Sequence, residues 1–125
     1  MAQQPESRLQ KRIRETLEAT FPNSWWVKIH GGPFQRSGIP DLLGFVDGLF
    51  FGFEVKRDGE HPTALQANTI AVINTRGATA CVVRTPEEAV NVVNDTLRRL
   101  DEMYAADPGV ADVSAMQRRL AKMRR

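Results

Sequence analysis

The chain has 125 residues, of which 42% are hydrophobic and 26% charged, as is typical of one soluble globular domain rather than a disordered chain. No apolar run approaches the ~20 residues that span a bilayer, and the start lacks the basic-then-apolar pattern of a secretory signal, so we expect a cytoplasmic protein. The single cysteine, Cys81, excludes an internal disulfide and a cysteine-rich zinc site.

The net charge of +2 is unevenly distributed. Residues 1–111 carry 12 basic and 14 acidic side chains, whereas residues 112–125 carry five basic side chains against Asp112 alone. An acidic body with a basic tail is compatible with an anionic polymer held near a metal site. We expect one globular domain over residues 1–106 and a basic amphipathic tail over residues 107–125.

The first half of the chain predicts a helix followed by three strands. Apolar residues recur every four positions after Pro5, which is typical of an amphipathic helix. Aromatic and branched residues and apolar runs then predict strands. The helix is expected to end near Pro22, and the strands cover residues 24–30, 39–46 and 49–57.

The second half predicts a helix, a buried strand and two more helices. The first helix runs from Thr63 to Gly77, a normal helix terminator, and the strand covers residues 78–84. Thr85 and Pro86 are a typical helix start. A last short basic helix is predicted from an apolar stripe at Val113, Met116, Leu120 and Met123. The fold is therefore a mixed α/β sandwich, with strand four parallel to strand three after a crossover helix.

The hairpin between the second and third strands brings charged residues together. Asp47-Gly48 between apolar runs is among the best short signals for a tight turn. Counting back from this turn places Asp41 directly opposite Glu54, with Cβ atoms ~4.5–5.5 Å apart. Lys56 lies two residues beyond Glu54 and points to the same face, while the other face carries apolar side chains for the core.

Two facing carboxylates repel each other, and a divalent cation bound to both removes that penalty. Magnesium suits such hard oxygen ligands, and a nearby lysine can act on the attacking water or on developing negative charge. The alternative is a solvated rim in which Lys56 forms a surface salt bridge. The apolar setting of Glu54 between Phe53 and Val55 argues against it.

These motifs resemble those of a known nuclease superfamily. Residues 37–43, with Gly38, Pro40 and Asp41, residues 53–56, and residues 63–66 together resemble the PD-(D/E)xK superfamily. Within it the chain is most similar to the VRR-NUC family, whose compact stand-alone members occur in phages and bacteria. The resemblance covers residues 6–95. The PD and ExK elements alone are a loose pattern, but the glycine context and the downstream glutamine make it more specific.

The resemblance implies a restriction-endonuclease-like fold and a role for each matching residue. Asp41, Glu54 and the Val55 carbonyl would bind Mg²⁺, for which Mn²⁺ would substitute, and Lys56 would be the catalytic lysine. Gln66 would orient the lysine or the water, and Glu6 would complete the metal shell. The resemblance also implies a homodimer that cuts branched DNA as Holliday-junction resolvases do, in a bacterial or phage-infected cell.

The residues themselves leave alternatives open. Gln66 also fits a capping box with Thr63, in which it would only stabilise the helix start. Glu6 is a first-turn acid that suits the helix dipole without any further role. Candidate phosphate contacts near the site are Lys28, Arg36, Ser37 and Arg57. Rival functions are a nicking or end-trimming nuclease and a non-catalytic nucleic-acid-binding module.

Overall fold

A computed structural model of the protein describes residues 5–33, 36–107 and 123. Within that part of the chain, helices and strands follow each other in the predicted order. They are α1 (Pro5–Thr20), β1 (Ser24–Lys28), β2 (Leu42–Val46), β3 (Leu49–Val55), α2 (Ala64–Thr75), β4 (Thr79–Val83) and α3 (Pro86–Ala106). The predicted last helix lies outside the described residues, apart from Met123, which is helical and exposed.

The four strands form one mixed sheet in the order β1-β2-β3-β4. Strands β1, β2 and β3 are antiparallel neighbours, and β4 runs parallel to β3, as predicted. Asp47 and Gly48 both have positive φ angles, of 51° and 80°, which is the backbone pattern of a tight hairpin turn. The predicted register is confirmed, since Val46 pairs with Leu49 and Leu42 pairs with Phe53.

The predicted strands were too long at the end of the sheet far from this turn. Strand β2 begins at Leu42 rather than at residue 39, and Pro40 before it has no amide hydrogen to donate to a neighbouring strand. Asp41 therefore lies one residue outside β2. Single hydrogen bonds continue the ladder here, from Ile29 N to Asp41 O (2.8 Å) and from Lys56 N to Val83 O (3.1 Å).

One face of the sheet is covered by α1 and α3 and forms the hydrophobic core. Ile13 and Leu17 of α1 and Val93 of α3 are fully buried there against the sheet. Trp26 stacks on Phe53 with ring centroids 5.6 Å apart. This face supplies the apolar burial that stabilises the domain.

The other face is covered by α2, which lies against β3 and β4. Thr63 caps its start and Gly77 follows its end with φ +92°. Ile70 and Ile73 are half-buried, but no residue of α2 is buried. Leu65, in the first turn of α2, is half-exposed. No helix among the described residues is long and apolar enough to cross a membrane.

Candidate active site

Three charged residues meet where β3 ends and the chain enters β2. Asp41 precedes β2, Glu54 is the penultimate residue of β3, and Lys56 follows that strand. The Val55 amide donates a hydrogen bond of 2.8 Å to Asp41 Oδ2. In a regular sheet, the Val55 amide would donate to a backbone carbonyl of the neighbouring strand. Here the Asp41 carboxylate accepts this hydrogen bond, which fixes the carboxylate against β3.

Glu54 is the most unusual residue of this group. Its side chain is 1% exposed, and neither carboxylate oxygen has a hydrogen-bond partner among the described residues. Lys56 Nζ lies 3.6 Å from Glu54 Oε1, close enough for an ion pair and too far for a good hydrogen bond. A buried carboxylate with both oxygens unsatisfied is costly in a stable fold, so it points to a missing partner.

The electrostatics of Glu54 agree with this geometry. Burial and, after it, the neighbouring Asp41 carboxylate raise the pKa of Glu54 to about 8, although Lys56 acts in the opposite direction. The protein therefore disfavours the charged form of Glu54 unless positive charge is added. Carboxylate oxygens are hard ligands that suit a divalent cation. The adjacent carboxylates of Asp41 and Glu54 are therefore suited to binding one, because the Glu54 oxygens have no hydrogen-bond partner among the described residues.

Two close backbone approaches hold the segment that carries Asp41. Pro40 is buried over Gly52, where an added Cβ would lie 3.2 Å from Pro40 Cγ. Gly38 has a φ of +85°, and an added Cβ there would lie 2.8 Å from Leu65 Cγ. The chain leading into Asp41 is thus packed on the sheet at one point and on α2 at the other.

Gln66 forms the capping box that was the alternative to a catalytic role. Its side-chain Oε1 accepts a hydrogen bond from the Thr63 backbone amide at 2.9 Å, and the Gln66 backbone amide donates one to Thr63 Oγ1 at 3.2 Å. The side chain is half-buried on the same side of α2 as Ile70 and Ile73, as predicted. Because the Glu54 oxygens have no hydrogen-bond partner, Gln66 does not donate to Glu54. A catalytic role for Gln66 stays a prediction.

Glu6 is placed apart from the other two acids. Among the described residues, no three His, Cys, Asp or Glu side chains are grouped to hold a metal ion, so Glu6 does not join Asp41 and Glu54 in one cluster. Glu6 instead lines a separate cavity of about 290 Å³ with Pro5, Ser7, Gln10 and Arg57. Glu6 lies in the first turn of α1, where its negative charge interacts favourably with the helix dipole.

Gln10 is a polar residue that lines the same cavity as Glu6, and it was not among the predicted site residues. It is 7% exposed, and its Oε1 has no hydrogen-bond partner among the described residues. The available signal was its position three residues before Ile13, which places an amide on the apolar stripe of α1.

The four candidate phosphate contacts differ in how exposed they are. Lys28 ends β1, pairs with Leu42 and is half-buried, while Arg36 and Ser37 are exposed in the loop before Asp41. Arg57 is exposed, and its Nε donates to Glu60 Oε1. Arg57 can reach a phosphate only by exchanging this surface partner, a contact that contributes little by itself.

The chain is similar to two solved nuclease-family structures. No family model and no curated protein matches it. One structure, described as a VRR_NUC domain, is 28% identical, has a TM-score of 0.59, and covers 71% of this chain and 94% of its own. A second, described as a VRR_NUC domain protein, is 18% identical with a TM-score of 0.53, covering 76% and 89% respectively, and shows the fold alone.

The four-stranded sheet with its flanking helices and the similarity to a VRR_NUC domain support a nuclease domain. The chain is thus similar to a VRR_NUC domain, in agreement with the resemblance that its sequence motifs carry.

Proposed function

We propose that this protein is a metal-dependent nuclease that hydrolyses DNA phosphodiesters, with Mg²⁺ as its cation and Mn²⁺ as a working substitute. The observation that carries the proposal is the state of Glu54, which is 1% exposed, lies beside Asp41, and has no hydrogen-bond partner for either oxygen among the described residues. A purely structural pair of carboxylates would destabilise this sheet without compensation. A cation-binding pair has a physical reason to be there.

The cation would be held by the carboxylates of Asp41 and Glu54 and by the Val55 backbone carbonyl. When bound, a divalent cation polarises a phosphate oxygen and lowers the pKa of a coordinated water. The protein contributes rigidity to this site. Asp41 is fixed by the Val55 amide, and Glu54 is held by burial, so neither carboxylate has to be ordered when substrate arrives.

Lys56 supplies the positive group beside the carboxylates. Its side chain is 12% exposed, and its ammonium is held 3.6 Å from Glu54. In such a desolvated setting a positioned ammonium interacts strongly with charge that develops during the reaction. We assign Lys56 to the attacking water or to the phosphate oxygens in the transition state.

We extend the proposal to branched DNA cut by a homodimer. Paired cuts on two strands require two active sites, and the described chain carries one Asp41–Glu54 pair. The resemblance to junction resolvases supports this extension. Lys28, Arg36, Ser37 and Arg57 would contact backbone phosphates around the site, which positions DNA without reading its bases.

A cleavage assay with matched variants tests the proposal. Labelled four-way junction, nicked duplex, linear duplex and single strand are incubated with Mg²⁺, Mn²⁺, Ca²⁺ or a chelator. We expect cleavage with Mg²⁺ and Mn²⁺ and none with chelator. Asp41→Asn should abolish cleavage and leave DNA binding equal or tighter, because repulsion between carboxylate and phosphate is relieved. The variant keeps an oxygen for the Val55 amide, so its fold should persist.

Glu60→Gln is the matched control, since Glu60 is a neighbouring carboxylate that pairs with Arg57 at the surface. It should cut like the wild type. Metal-dependent activity retained by Asp41→Asn would overturn the proposed site. Binding without cutting on every substrate would instead identify a non-catalytic nucleic-acid-binding module. Cleavage confined to nicks or ends would keep the chemistry and replace junction selectivity with a nicking or end-trimming activity.

A further inference from the structure

A row of aromatic side chains lies on the same face of the sheet as the candidate active site. Trp25 of β1 pairs with Phe45 of β2, and Phe45 pairs with Phe50 of β3. Phe45 lies four residues after Asp41. Phe50 lies four residues before Glu54. Because side chains alternate between faces along a strand, these rings and both carboxylates share one face. We call Trp25, Phe45 and Phe50 the aromatic row.

The aromatic row is largely uncovered. Trp25 is 62% exposed and Phe45 is 44% exposed, because α2 lies against β3 and β4 and leaves the β1 side of the sheet open. The Phe45 and Phe50 rings meet edge to face, with centroids 5.8 Å apart. Large rings in contact with water on the face that carries the active site are available to a substrate bound there.

A cavity with a basic side chain adjoins the aromatic row. Its volume is about 320 Å³, and its lining includes Phe45, Phe50 and Arg76, the residue that follows the last turn of α2. Pockets for small ligands begin at about 300 Å³, so one nucleobase fits this cavity. Arg76 is exposed and takes part in none of the ion pairs of the described residues. Its guanidinium is therefore available to a phosphate.

The chemistry of the aromatic row selects one form of DNA. Residues 24–27, 42–46 and 49–53 contain no Asp, Glu, Lys or Arg. A duplex presents charged phosphates to a protein and keeps its bases stacked inside, so it does not fit an uncharged surface. An unpaired base has an apolar ring face that stacks on aromatic side chains, and its phosphate needs only a nearby cation. Uncharged rings beside a single arginine therefore fit a single strand.

We propose that the aromatic row stacks unpaired bases of the DNA strand held in the active site, and that Arg76 contacts a phosphate of that strand. The distance along β2 from Asp41 to Phe45 is about 13 Å at ~3.3 Å per residue, which is the length of about four stacked nucleotides. This inference rests on the proposed function and specifies its substrate as DNA with a single-stranded segment next to the scissile phosphate. Branched DNA supplies such a segment where a strand leaves its duplex.

The first test uses the wild type with a chelator, so that nothing is cut. One DNA is a duplex with a short single-stranded tail, and the other is identical except that the tail carries abasic sites, which keep every phosphate and remove the bases. We expect the natural tail to bind at least ~5-fold more tightly, the lower end of the range for one base stacked on an aromatic side chain. Trp25 is exposed and Trp26 is buried, so quenching of tryptophan fluorescence reports mainly on Trp25 and should require the natural tail.

The second test changes the ring. Trp25→Leu keeps an apolar side chain and removes the ring, so the ratio of the two dissociation constants should fall toward 1. Trp25→Phe restores a ring and should retain most of the ratio. Met103→Ala is the matched control, because Met103 is also 62% exposed but belongs to α3, on the other side of the sheet. Its ratio should match that of the wild type.

The third test changes the charge beside the aromatic row. Arg76→Gln should lower the slope of log affinity against log salt by about 0.7 on the natural tail, the value for one phosphate contact on a single strand. Arg98→Gln is its control, since Arg98 on α3 is paired with Asp95 and Glu102. Its slope should equal that of the wild type. An unchanged slope in Arg76→Gln would remove Arg76 from the proposed contact.

Two results would overturn the stacking itself. One is a wild type that binds natural and abasic tails equally, a measurement that does not depend on any variant folding. The other is a folded Trp25→Leu variant that keeps the wild-type ratio. Quenching that follows protein concentration and not DNA would also overturn it, by assigning the aromatic row to contact between copies.

These outcomes are separate from those of the proposed function, because every binding test is done without metal. A wild type that cleaves with Mg²⁺ but does not distinguish the two tails would remove the stacking and leave the hydrolytic mechanism standing. A wild type that distinguishes the tails and never cuts would do the reverse.

Discussion

The two sides of the sheet differ in how their side chains are satisfied. On the side covered by α1 and α3, residues such as Phe51, Phe53 and Val55 are fully buried among apolar neighbours. On the other side, Glu54 is buried without hydrogen-bond partners in the described chain, and Trp25 is left exposed. Neighbouring residues of one strand thus face environments of opposite character.

Residues that stabilise the fold and residues of the candidate active site therefore lie next to each other in the same strand, on opposite faces of the sheet. The side covered by α1 and α3 forms a stable hydrophobic core without any further partner. The other side carries an unsatisfied carboxylate and an uncovered apolar surface, both of which a bound partner would correct. Substitutions on the covered side should therefore change stability, and those on the other side should change activity or assembly.

The largest difference should appear in catalysis. Lys56→Ala should lower the cleavage rate by ~10²–10⁴-fold, the range for a positioned proton-transfer or charge-stabilising group. Binding of Mg²⁺ should change little, because the ammonium is not a metal ligand. Single-turnover cleavage measures the rate, and calorimetric titration measures the metal. A rate within a few-fold of wild type would reduce Lys56 to a surface partner of Glu54.

Adjacent residues of β3 should respond in opposite directions when stability is measured. Phe53→Ala should lower the free energy of unfolding by about 3–5 kcal/mol, since it removes a buried ring that stacks on Trp26. Glu54→Gln should raise it in the metal-free protein at pH 7 by roughly 3 kcal/mol, because the variant does not have to take up a proton when it folds. Urea denaturation with a chelator present gives both values.

The pH dependence of this second effect has a fixed sign. The pKa of Glu54 is raised by folding to about 8, so the folded state holds a proton that the unfolded state releases above pH 4.5. Wild-type stability should fall as pH rises from 4.5 to 8, and the advantage of Glu54→Gln should disappear at pH 4.5. Adding Mg²⁺ should stabilise the wild type and not the variant. An advantage that is independent of pH would contradict this origin.

A smaller effect should distinguish packing on α2 from backbone strain alone. Gly38 and Gly59 have similar φ angles of +85° and +81°, but only at Gly38 would a Cβ meet another atom. Gly59→Ala should lose about 1 kcal/mol of stability from backbone strain, and Gly38→Ala should lose more because its Cβ also meets Leu65. Gly38→Ala should also lose about tenfold or more in cleavage rate, since displacement of its loop moves Asp41. Equal activity in the two variants would show that the Gly38 contact does not position the site.

The smallest effect concerns the basic tail, which lies mostly outside the described residues. We expect residues 112–125 to pack near the dimer and to present their basic side chains to the DNA arms. Their deletion should weaken junction binding and flatten its salt dependence, because fewer counterions are released. The rate at saturating DNA should not change. Replacing the five basic residues with glutamine separates charge from packing, and an unchanged salt slope would exclude the tail from DNA binding.

Much of the fold could be predicted because local signals agreed with one another. The Asp47-Gly48 turn predicted the register of the hairpin. The alternation of side chains in β3 predicted which residues share a sheet face with Phe53 and which share the opposite face with Glu54. The strand ends were predicted poorly, since apolar composition continues through Ile39 while Pro40 lacks an amide hydrogen for the ladder. Pattern alone does not indicate where the ladder stops.

Features that depend on distant contacts could not be predicted. The exposure of Leu65 depends on how far α2 covers the sheet, and its sequence pattern is that of a buried residue. Which cavity Glu6 lines depends on how α1 lies across the domain, and its role in the metal shell, directly or through water, stays a prediction. The unpaired oxygen of Gln10 likewise results from tertiary packing, because a glutamine in a helix usually faces solvent.

The hydrogen bond from the Val55 amide to Asp41 links the dynamics of the sheet to the active site. Any local opening of β3 that frees this amide also releases the Asp41 carboxylate from its fixed position. Amide hydrogen exchange at Val55 therefore follows the lifetime of the assembled site, one residue from the buried Glu54. An NMR exchange experiment on this single amide would report how often the site comes apart, in the absence of substrate and without any catalytic turnover.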